Sequence, residues 1–421
     1  MAHAPATRAG VDSAQLVAIM TGADPVKALF EGLSATESSA LTERDHNSHL
    51  HLPPNFSAFT TAQHAVDLAA QQGLSLLCAS NYYDHRIYKR FARSCLARGI
   101  FPVFGLEIIT LDAELAERGI RTNDPSNPGR IYLCGLATPW IVCAPPAAET
   151  VLGRIRSGDE RRMAEMTGRI NSAMADRGVP VALRQETMIE ALVARHGVEA
   201  DSVVLQERHV AQALQEALFA AGGADLAERA AGIALKAPGD PSAVQNDLRS
   251  SLMKAGKPAF VEERFVDLAT AKQLILDLGG IPCYPILGDG ASPVPELEQD
   301  PGALVGELLA RGIAMAQFIP RRNTLALVER YAEPLREAGI VLTVGTEHNT
   351  LELIPLQPAC KDAPLSPRLR DVFWEGACIA AAHQFLVARG EPGYVDGTGA
   401  VVGDRERLAR IGDGLMTQLG G

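Results

Sequence analysis

Short apolar runs alternate with amphipathic segments over residues 44–139, and again from about residue 270 to residue 349. Runs such as GLSLLCAS, IFPVFGLEIITL and IYLCGLAT have the length and apolar character that are typical of buried strands. Segments such as TAQHAVDLAAQQG and RIYKRFARSCLARG carry the helical spacing of apolar residues. Because strand–helix–strand spacing of this kind is typical of parallel βαβ units, the sequence predicts an α/β fold.

The middle of the chain has a different pattern, with nearly continuous helix and few strand candidates. We therefore predict that a helical insertion divides the α/β part into two pieces. The predicted organisation is an N-terminal helical extension (1–43), a first α/β part (44–139), the helical insertion (140–274), a second α/β part (275–360) and a C-terminal helical extension (361–421).

Polar residues follow several of the predicted strands. His49 and His51 are two positions apart in an extended segment, so their side chains point to the same face. Such a pair suits a metal ion, although two hydrogen-bonded histidines would give the same pattern. Other polar residues at predicted strand ends are Asp84, His85, Glu107, Arg130, Arg321, Arg322, Glu347, His348 and Asn349. Since the chemistry of α/β barrels lies where strands end, we expect these residues to form a cluster.

The composition limits the partners and the compartment. A net charge of −11 argues against a nucleic-acid-binding surface, although a few local Arg or Lys residues can still bind a small anionic substrate. Seven scattered cysteines without a CxxC pair are typical of a reducing compartment. The first residues lack the pattern of a secretion signal, and no apolar run reaches the ~18 residues that span a bilayer. We expect a cytoplasmic protein with no nucleic-acid or membrane partner; its oligomeric state stays open.

The order of four motifs resembles the PHP (polymerase and histidinol phosphatase) superfamily of metal-dependent phosphoesterases. These motifs are HLH at 49–51, the GLSLL strand, GLEI around Glu107 and VGTEHN around Glu347. The resemblance covers about residues 44–139 and 275–350. It implies a distorted seven-stranded β/α (TIM-like) barrel, and VVLQERHVAQAL looks like the helical insert of small-molecule phosphoesterases in this superfamily.

The resemblance also implies a set of metal ligands, although the set is incomplete. The first metal of the superfamily would be bound by His49, His51, Glu107 and Glu347, with Glu347 in place of an aspartate. The places of the second metal's histidines are taken by Arg130 or Tyr132 and by Tyr284, and those of the third metal's ligands by Asn55, Tyr82 and Asn349. We therefore expect one divalent ion per chain, and two imidazoles with two carboxylates suit Zn²⁺, Mn²⁺ or Fe²⁺.

The remaining polar residues are assigned to substrate binding and proton transfer. We expect His348, Asp84 and His85 to serve as acid or base, since histidine transfers protons readily near neutral pH; with a shift in register they could instead be ligands of a second metal. A second set is expected to bind an anionic group, because the fork of arginine matches carboxylate and phosphate. That set is Arg86, Arg130, Arg321, Arg322 and Asn349.

These assignments predict a metal-dependent hydrolase, phosphoesterase-like, that acts on a small anionic metabolite through a metal-activated water. Two alternatives remain open. The metal could serve as a Lewis acid in lyase or isomerase chemistry on a sugar acid or sugar phosphate, or the domain could be catalytically degenerate and act as a binding module.

Overall fold

The computed structural model describes residues 32–83 and 85–420. Most of the predicted N-terminal extension (residues 1–31) and the predicted acid or base Asp84 therefore lie outside the described residues. Residues 33–45 contain neither helix nor strand. They run along the C-terminal helix, where Ser38 N donates to the carbonyl of Arg410 and Thr42 N donates to Asp413.

Three parallel strands form the first sheet, in the order β1-β2-β3. They are β1 (His46–Leu50), β2 (Leu76–Ala79) and β3 (Phe101–Phe104), and they are connected by helices α1 (Ala62–Gln71) and α2 (Tyr88–Leu96). Helix α1 begins after the N-cap Thr61, which accepts from His64 N, and the chain then turns at Gly73 with a φ of 75°. The βαβ units predicted for this region are confirmed.

Six strands form the second sheet, in the order β6-β4-β5-β7-β8-β9. They are β4 (Leu106–Leu111), β5 (Arg130–Leu136), β6 (Val266–Asp267), β7 (Ile281–Ile286), β8 (Met315–Phe318) and β9 (Val341–Val344). Strands β7, β8 and β9 are parallel, and helices α9 (Pro301–Ala310) and α10 (Leu325–Glu337) connect them. Strand β5 is antiparallel to both of its neighbours, contrary to the predicted parallel unit. Only the five-residue helix α3 (Ala113–Glu117) lies between β4 and β5, so the chain folds back instead of crossing over.

The predicted seven-stranded barrel is not found. The described residues contain nine strands in two sheets without a closed barrel, and isolated bridges join Leu50 to Glu347 and Tyr82 to Glu107. The apolar run around GLEI was predicted as one strand, but Gly105 divides it into β3 and β4. A Cβ atom at Gly105 would lie 2.7 Å from the carbonyl oxygen of Gly135, so the backbones approach closely where the chain passes between the sheets.

The helical part between β5 and β6 contains four α-helices among the described residues: α4 (Pro146–Asp176), α5 (Gln185–His196), α6 (Glu207–Ala231) and α7 (Pro241–Leu248). Apart from Val198, its buried apolar residues from Met163 to Val261 form a core cluster separate from the cluster around the sheets. Helix α4 belongs to both clusters, because Leu152 packs in the core of the sheets and Ile170 packs in the second core. This helix therefore fixes the insertion against the strands.

Helices α8 (Leu268–Asp277), α11 (Pro367–Ala388) and α12 (Arg405–Gly420) complete the described elements. Helix α11 packs on the strands, and a Cβ at Gly376 would lie 1.8 Å from the carbonyl oxygen of Leu342 in β9. Of the helices in 32–83 and 85–420, none is both long enough and apolar enough to cross a membrane.

Candidate metal centre and adjoining pocket

Three predicted ligands meet at the end of β1 and the start of β4. His49 Nε2 lies 3.3 Å from His51 Nε2 and 3.3 Å from Glu107 Oε2, and His51 Nε2 lies 3.4 Å from the same oxygen. All three residues are buried. Bonds of about 2.0–2.1 Å in a tetrahedron place neighbouring ligand atoms about 3.3–3.4 Å apart. The three atoms, which we call the triad, therefore have the spacing of three corners of a tetrahedral metal site.

The hydrogen bonds of Gln317, in β8, determine which nitrogen of His49 faces the triad. The amide nitrogen of Gln317 donates to the carbonyl of Ser48 (2.9 Å) and to Thr343 Oγ1 (3.1 Å). Its amide oxygen is then left to accept from His49 Nδ1 at 2.7 Å. With the proton on Nδ1, the lone pair of His49 Nε2 points at the triad, which is the arrangement of a histidine that binds a metal.

His51 is oriented by different contacts. Its backbone N–H donates to the carbonyl of Glu347 (2.8 Å), and its ring stacks on Tyr82 with centroids 4.8 Å apart. Its Nδ1 is buried without a hydrogen-bond partner among the described residues. Stacking and backbone pairing, rather than a side-chain hydrogen bond, therefore hold this ring.

Contacts within the buried triad shift the pKa values of Glu107 and His49. Burial alone would raise the pKa of the Glu107 carboxyl, but contacts with His49 and His51 hold that pKa below its usual value. Burial likewise opposes the charged form of His49, but Glu107 raises the pKa of this imidazole. The negative charge of the Glu107 carboxylate thus favours a positive charge beside it, which a divalent cation would provide.

The segment after β9 approaches the triad through a glycine. A Cβ atom at Gly345 would lie 2.3 Å from His49 Cβ, so only glycine fits here without displacing β1. Glu347 and His348 then adopt left-handed φ values of 62° and 55°, which cost about 1–2 kcal/mol each for such residues. The carboxylate of Glu347, the fourth predicted ligand, forms an ion pair with Arg322 and is not one of the three atoms of the triad.

A pocket of about 460 Å³ lies above the triad, between the strands and the helical insertion. Glu107 and Tyr82 line its base, and His49 and His51 lie beneath them. Burial raises the pKa of the Tyr82 phenol well above its usual value, so this group stays neutral. The charged lining residues are six cations (Arg130, Arg162, Arg208, Arg249, Lys254 and Arg322) and six carboxylates (Glu107, Asp124, Asp159, Glu207, Glu263 and Glu347).

The predicted substrate-binding residues divide into two groups. Arg130, Arg322 and Asn349 line the pocket, and Arg130 is paired with Asp124 and Glu263, each at 3.0 Å. Arg86 and Arg321 are not among the lining residues. They form exposed ion pairs, Arg86 with Asp201 (3.5 Å) and Arg321 with Glu352 (2.6 Å).

Neither described member of the predicted acid–base set lines the pocket. His348 Nε2 donates to the carbonyl of Ile354 (3.0 Å), its Nδ1 is bonded to Thr346 Oγ1 (2.8 Å), and burial lowers its pKa. His85 Nδ1 accepts from Arg156 (3.1 Å); burial and the neighbouring arginines lower its pKa to about 3. Both rings are therefore engaged in structural contacts, and their catalytic assignment stays a prediction without support from these contacts.

Sequence reasoning missed Gln317, Arg208, Arg249 and Asp159. Gln317 was visible as a lone polar residue inside the apolar run IAMAQFIP, and a buried amide of this kind needs a specific partner. The other three lie on the insertion, where helical periodicity indicates burial but not which residues face the strands.

Solved structures that are similar to this chain include the following two. One is a protein from Bifidobacterium adolescentis described as a candidate metal-dependent phosphoesterase, with a TM-score of 0.51, 14% identity, and coverage of 79% of this chain and 96% of that one. The other is an amidohydrolase from Chromobacterium violaceum, solved with bound sulfate and no metal, with a TM-score of 0.50, 17% identity, and coverage of 78% of this chain and 95% of that one.

No family model matches the chain, and no curated protein matches it. The predicted likeness to metal-dependent phosphoesterases is confirmed by the structural similarity, which at these identities shows the fold alone.

Proposed function

We propose that this protein is a metal-dependent hydrolase of the phosphoesterase type that acts on a small anionic metabolite. The observation that carries the proposal is the triad of His49, His51 and Glu107 at the base of the pocket, with a spacing that fits one divalent ion. Three protein ligands leave a coordination position open for water or substrate, as in catalytic rather than structural sites.

A divalent ion held by the triad would lower the pKa of a water molecule and polarise an oxygen of the substrate. The protein's own groups prepare the site for it. Gln317 holds His49 in the tautomer that presents Nε2, and the Tyr82 ring fixes His51 from one face. Burial raises the pKa of the Tyr82 phenol well above its usual value, so this group stays neutral and, in its contact with Glu107, adds no negative charge to the site.

Glu347 is engaged by Arg322 through Oε2, so its carboxylate would be freer to act as the fourth ligand when Arg322 turns away. Both side chains line the pocket, and the Arg322 side chain is 43% exposed, so it has room to turn toward a ligand. An anionic substrate that pairs with Arg322 would release Glu347. We therefore propose that substrate binding and completion of the ligand set are coupled through this ion pair.

The test combines metal analysis with a substrate panel. Protein purified without chelators should contain about one divalent ion per chain, by analogy with open three-ligand catalytic sites. With Zn²⁺, Mn²⁺ or Fe²⁺ restored, it should hydrolyse a member of a panel of phosphomonoesters and phosphodiesters, and lose this activity with a chelator. Amides belong in the same panel, because one similar structure is described as an amidohydrolase. A metal-loaded protein that hydrolyses none of these compounds would contradict the proposal.

A further inference from the structure

The helical insertion contributes four cationic side chains to one wall of the pocket, which we call the insertion wall. They are Arg162 from α4, Arg208 from the first turn of α6, and Arg249 and Lys254 from the segment that follows α7. The side chains of Arg162 and Arg249 are only 14% and 17% exposed. These are therefore not freely solvated surface charges.

Three of the four cations share one carboxylate. Glu207 accepts from Arg249 at 2.8 Å and from Lys254 at 2.6 Å, and it lies 3.6 Å from Arg162. Arg162 also lies 3.9 Å from Glu263, but that carboxylate is engaged at 3.0 Å by Arg130. The four cations of the wall thus have Glu207 and Asp159 beside them and share Glu263 with Arg130, so the cations of the wall outnumber its carboxylates.

Arg208 has no carboxylate of its own. Within residues 32–83 and 85–420, no ion pair joins Arg208 to an acidic side chain, and its guanidinium lies 5.7 Å from the ring centroid of Phe56. Burial and the nearby Arg249 lower its pKa, and the more weakly interacting Glu207 and Glu347 offset this only in part. Because a guanidinium stays charged in proteins, holding it beside other cations costs free energy that a bound anion would offset.

We propose that the insertion wall is a second anion-binding subsite, and that the substrate is a phosphate ester that carries a further anionic group, either a phosphate or a carboxylate. That the substrate is a phosphate ester rests on the proposed function, whereas the anion-binding subsite rests on the insertion wall alone. Glu107 of the triad and the four cations of the insertion wall line the same pocket, so one small molecule can contact both sides. Arginine forks bind either kind of anion through paired hydrogen bonds.

The subsite is tested by anion binding to the metal-stripped full-length protein, in which the triad holds no cation. Calorimetric titration with inorganic sulfate, inorganic phosphate and acetate should show binding that weakens by about tenfold or more in Arg208→Gln, the loss of one charge-assisted contact. Arg321→Gln removes the same charge outside the pocket and should leave the affinity within about twofold of wild type. Thermal melting checks that both variants are folded.

Each outcome decides the proposal. A preference for sulfate and phosphate assigns a phosphate-like group to the subsite, and a preference for acetate assigns a carboxylate. Wild-type protein that binds none of the three ions below about 10 mM would overturn the proposal. So would binding that depends on Arg322 but not on Arg208, because the anion would then lie beside Glu347.

Measurements of KM and kcat distinguish failure of this inference from failure of the proposed function. With any hydrolysed ester that carries a second anionic group, Arg208→Gln should raise KM about tenfold with little change in kcat, and KM for an ester without that group should not change. If no ester is hydrolysed but sulfate binding still depends on Arg208, the proposed function fails and the subsite stands. An equal rise in KM for both kinds of ester would overturn the subsite.

Discussion

The two walls of the pocket are built in opposite ways. On the strand side, the triad is at most 5% exposed, and backbone pairing, Gln317 and Tyr82 hold its imidazoles in place. On the insertion side, long cationic side chains converge on one carboxylate, Glu207, and the guanidinium of Arg208 lies near the Phe56 ring with no ion pair among the described residues. A metal site needs ligand positions fixed to a few tenths of an ångström, whereas an anion can be bound by charges that adjust to it.

The two walls also belong to different cores. The triad lies within the core of the sheets, and the insertion packs its own apolar cluster between Met163 and Val261. Substitutions in the triad should therefore change metal binding with little effect on anion binding, and substitutions in the insertion wall should do the reverse.

Loss of a triad ligand gives the largest expected effect. His49→Ala and Glu107→Gln should each lower the bound metal from about one ion per chain to below about a tenth, since a removed ligand costs more than the tenfold to hundredfold typical of an outer-shell group. Elemental analysis after gel filtration measures this. His46→Ala is the matched control, because His46 is buried in the same strand but its ring packs against Trp374, with centroids 5.6 Å apart, and is not part of the triad. A similar metal loss in His46→Ala would mean that the strand, rather than the ligand, was disturbed.

Removal of the Gln317 amide should have a smaller effect of the same kind. Gln317→Leu leaves His49 Nδ1 without its acceptor and its tautomer unfixed, so metal affinity should fall about tenfold to hundredfold. Competition with a chromogenic chelator measures the affinity. The matched control is Gln384→Leu, since Gln384 is also fully buried and bonds to strand backbone at Phe104 and Pro102. If both variants keep wild-type affinity, Gln317 does not orient the ligand.

Anion binding at the insertion wall should depend on pH through Asp159. Burial, together with Glu263, raises the pKa of this carboxyl to about 7, so it is neutral below that pH and negative above it. The added negative charge repels an anion, so sulfate affinity should fall about threefold to tenfold between pH 6 and pH 8. Sulfate is the suitable probe because its own charge is constant over this range. In Asp159→Asn the affinity should be nearly independent of pH, and a persistent pH dependence would assign it to another group.

The strand side of the pocket could be predicted from the sequence because its signals are local. The HxH spacing in an extended segment placed two imidazoles together, and the carboxylate of Glu107 at the end of an apolar run indicated a buried partner. The antiparallel pairing of β5 could not be predicted, because an apolar segment has the same pattern in a parallel and in an antiparallel strand. Its direction depends on the connection between β4 and β5. The predicted barrel is not confirmed; at Gly105 one apolar run divides into strands of two sheets.

The cations on the insertion side were harder to predict, because they form a cluster only through the packing of several helices. The sequence around each arginine of the insertion is typical of a residue on a helix surface. Only the packing of α4 and α6 brings Arg162 and Arg208 to one wall. The same limit applies to Arg321 and Arg322. They are adjacent in sequence and were given the same role, although one faces solvent and the other faces the pocket.

Substitutions of Arg321 and Arg322 should give the smallest effects on metal affinity, and they compare two residues that are adjacent in sequence. Arg322→Gln removes the partner of Glu347, so if that carboxylate can bind the metal, metal affinity should rise by about twofold to fivefold while KM for an anionic substrate rises. Arg321→Gln removes an exposed pair with Glu352 and should change neither quantity beyond about twofold. Glu347→Gln should move metal affinity in the opposite direction to Arg322→Gln. If both variants weaken metal binding equally, the ion pair positions the segment after β9 instead of competing with the metal, and Glu347 acts on the triad only through its backbone contacts with His49 and His51.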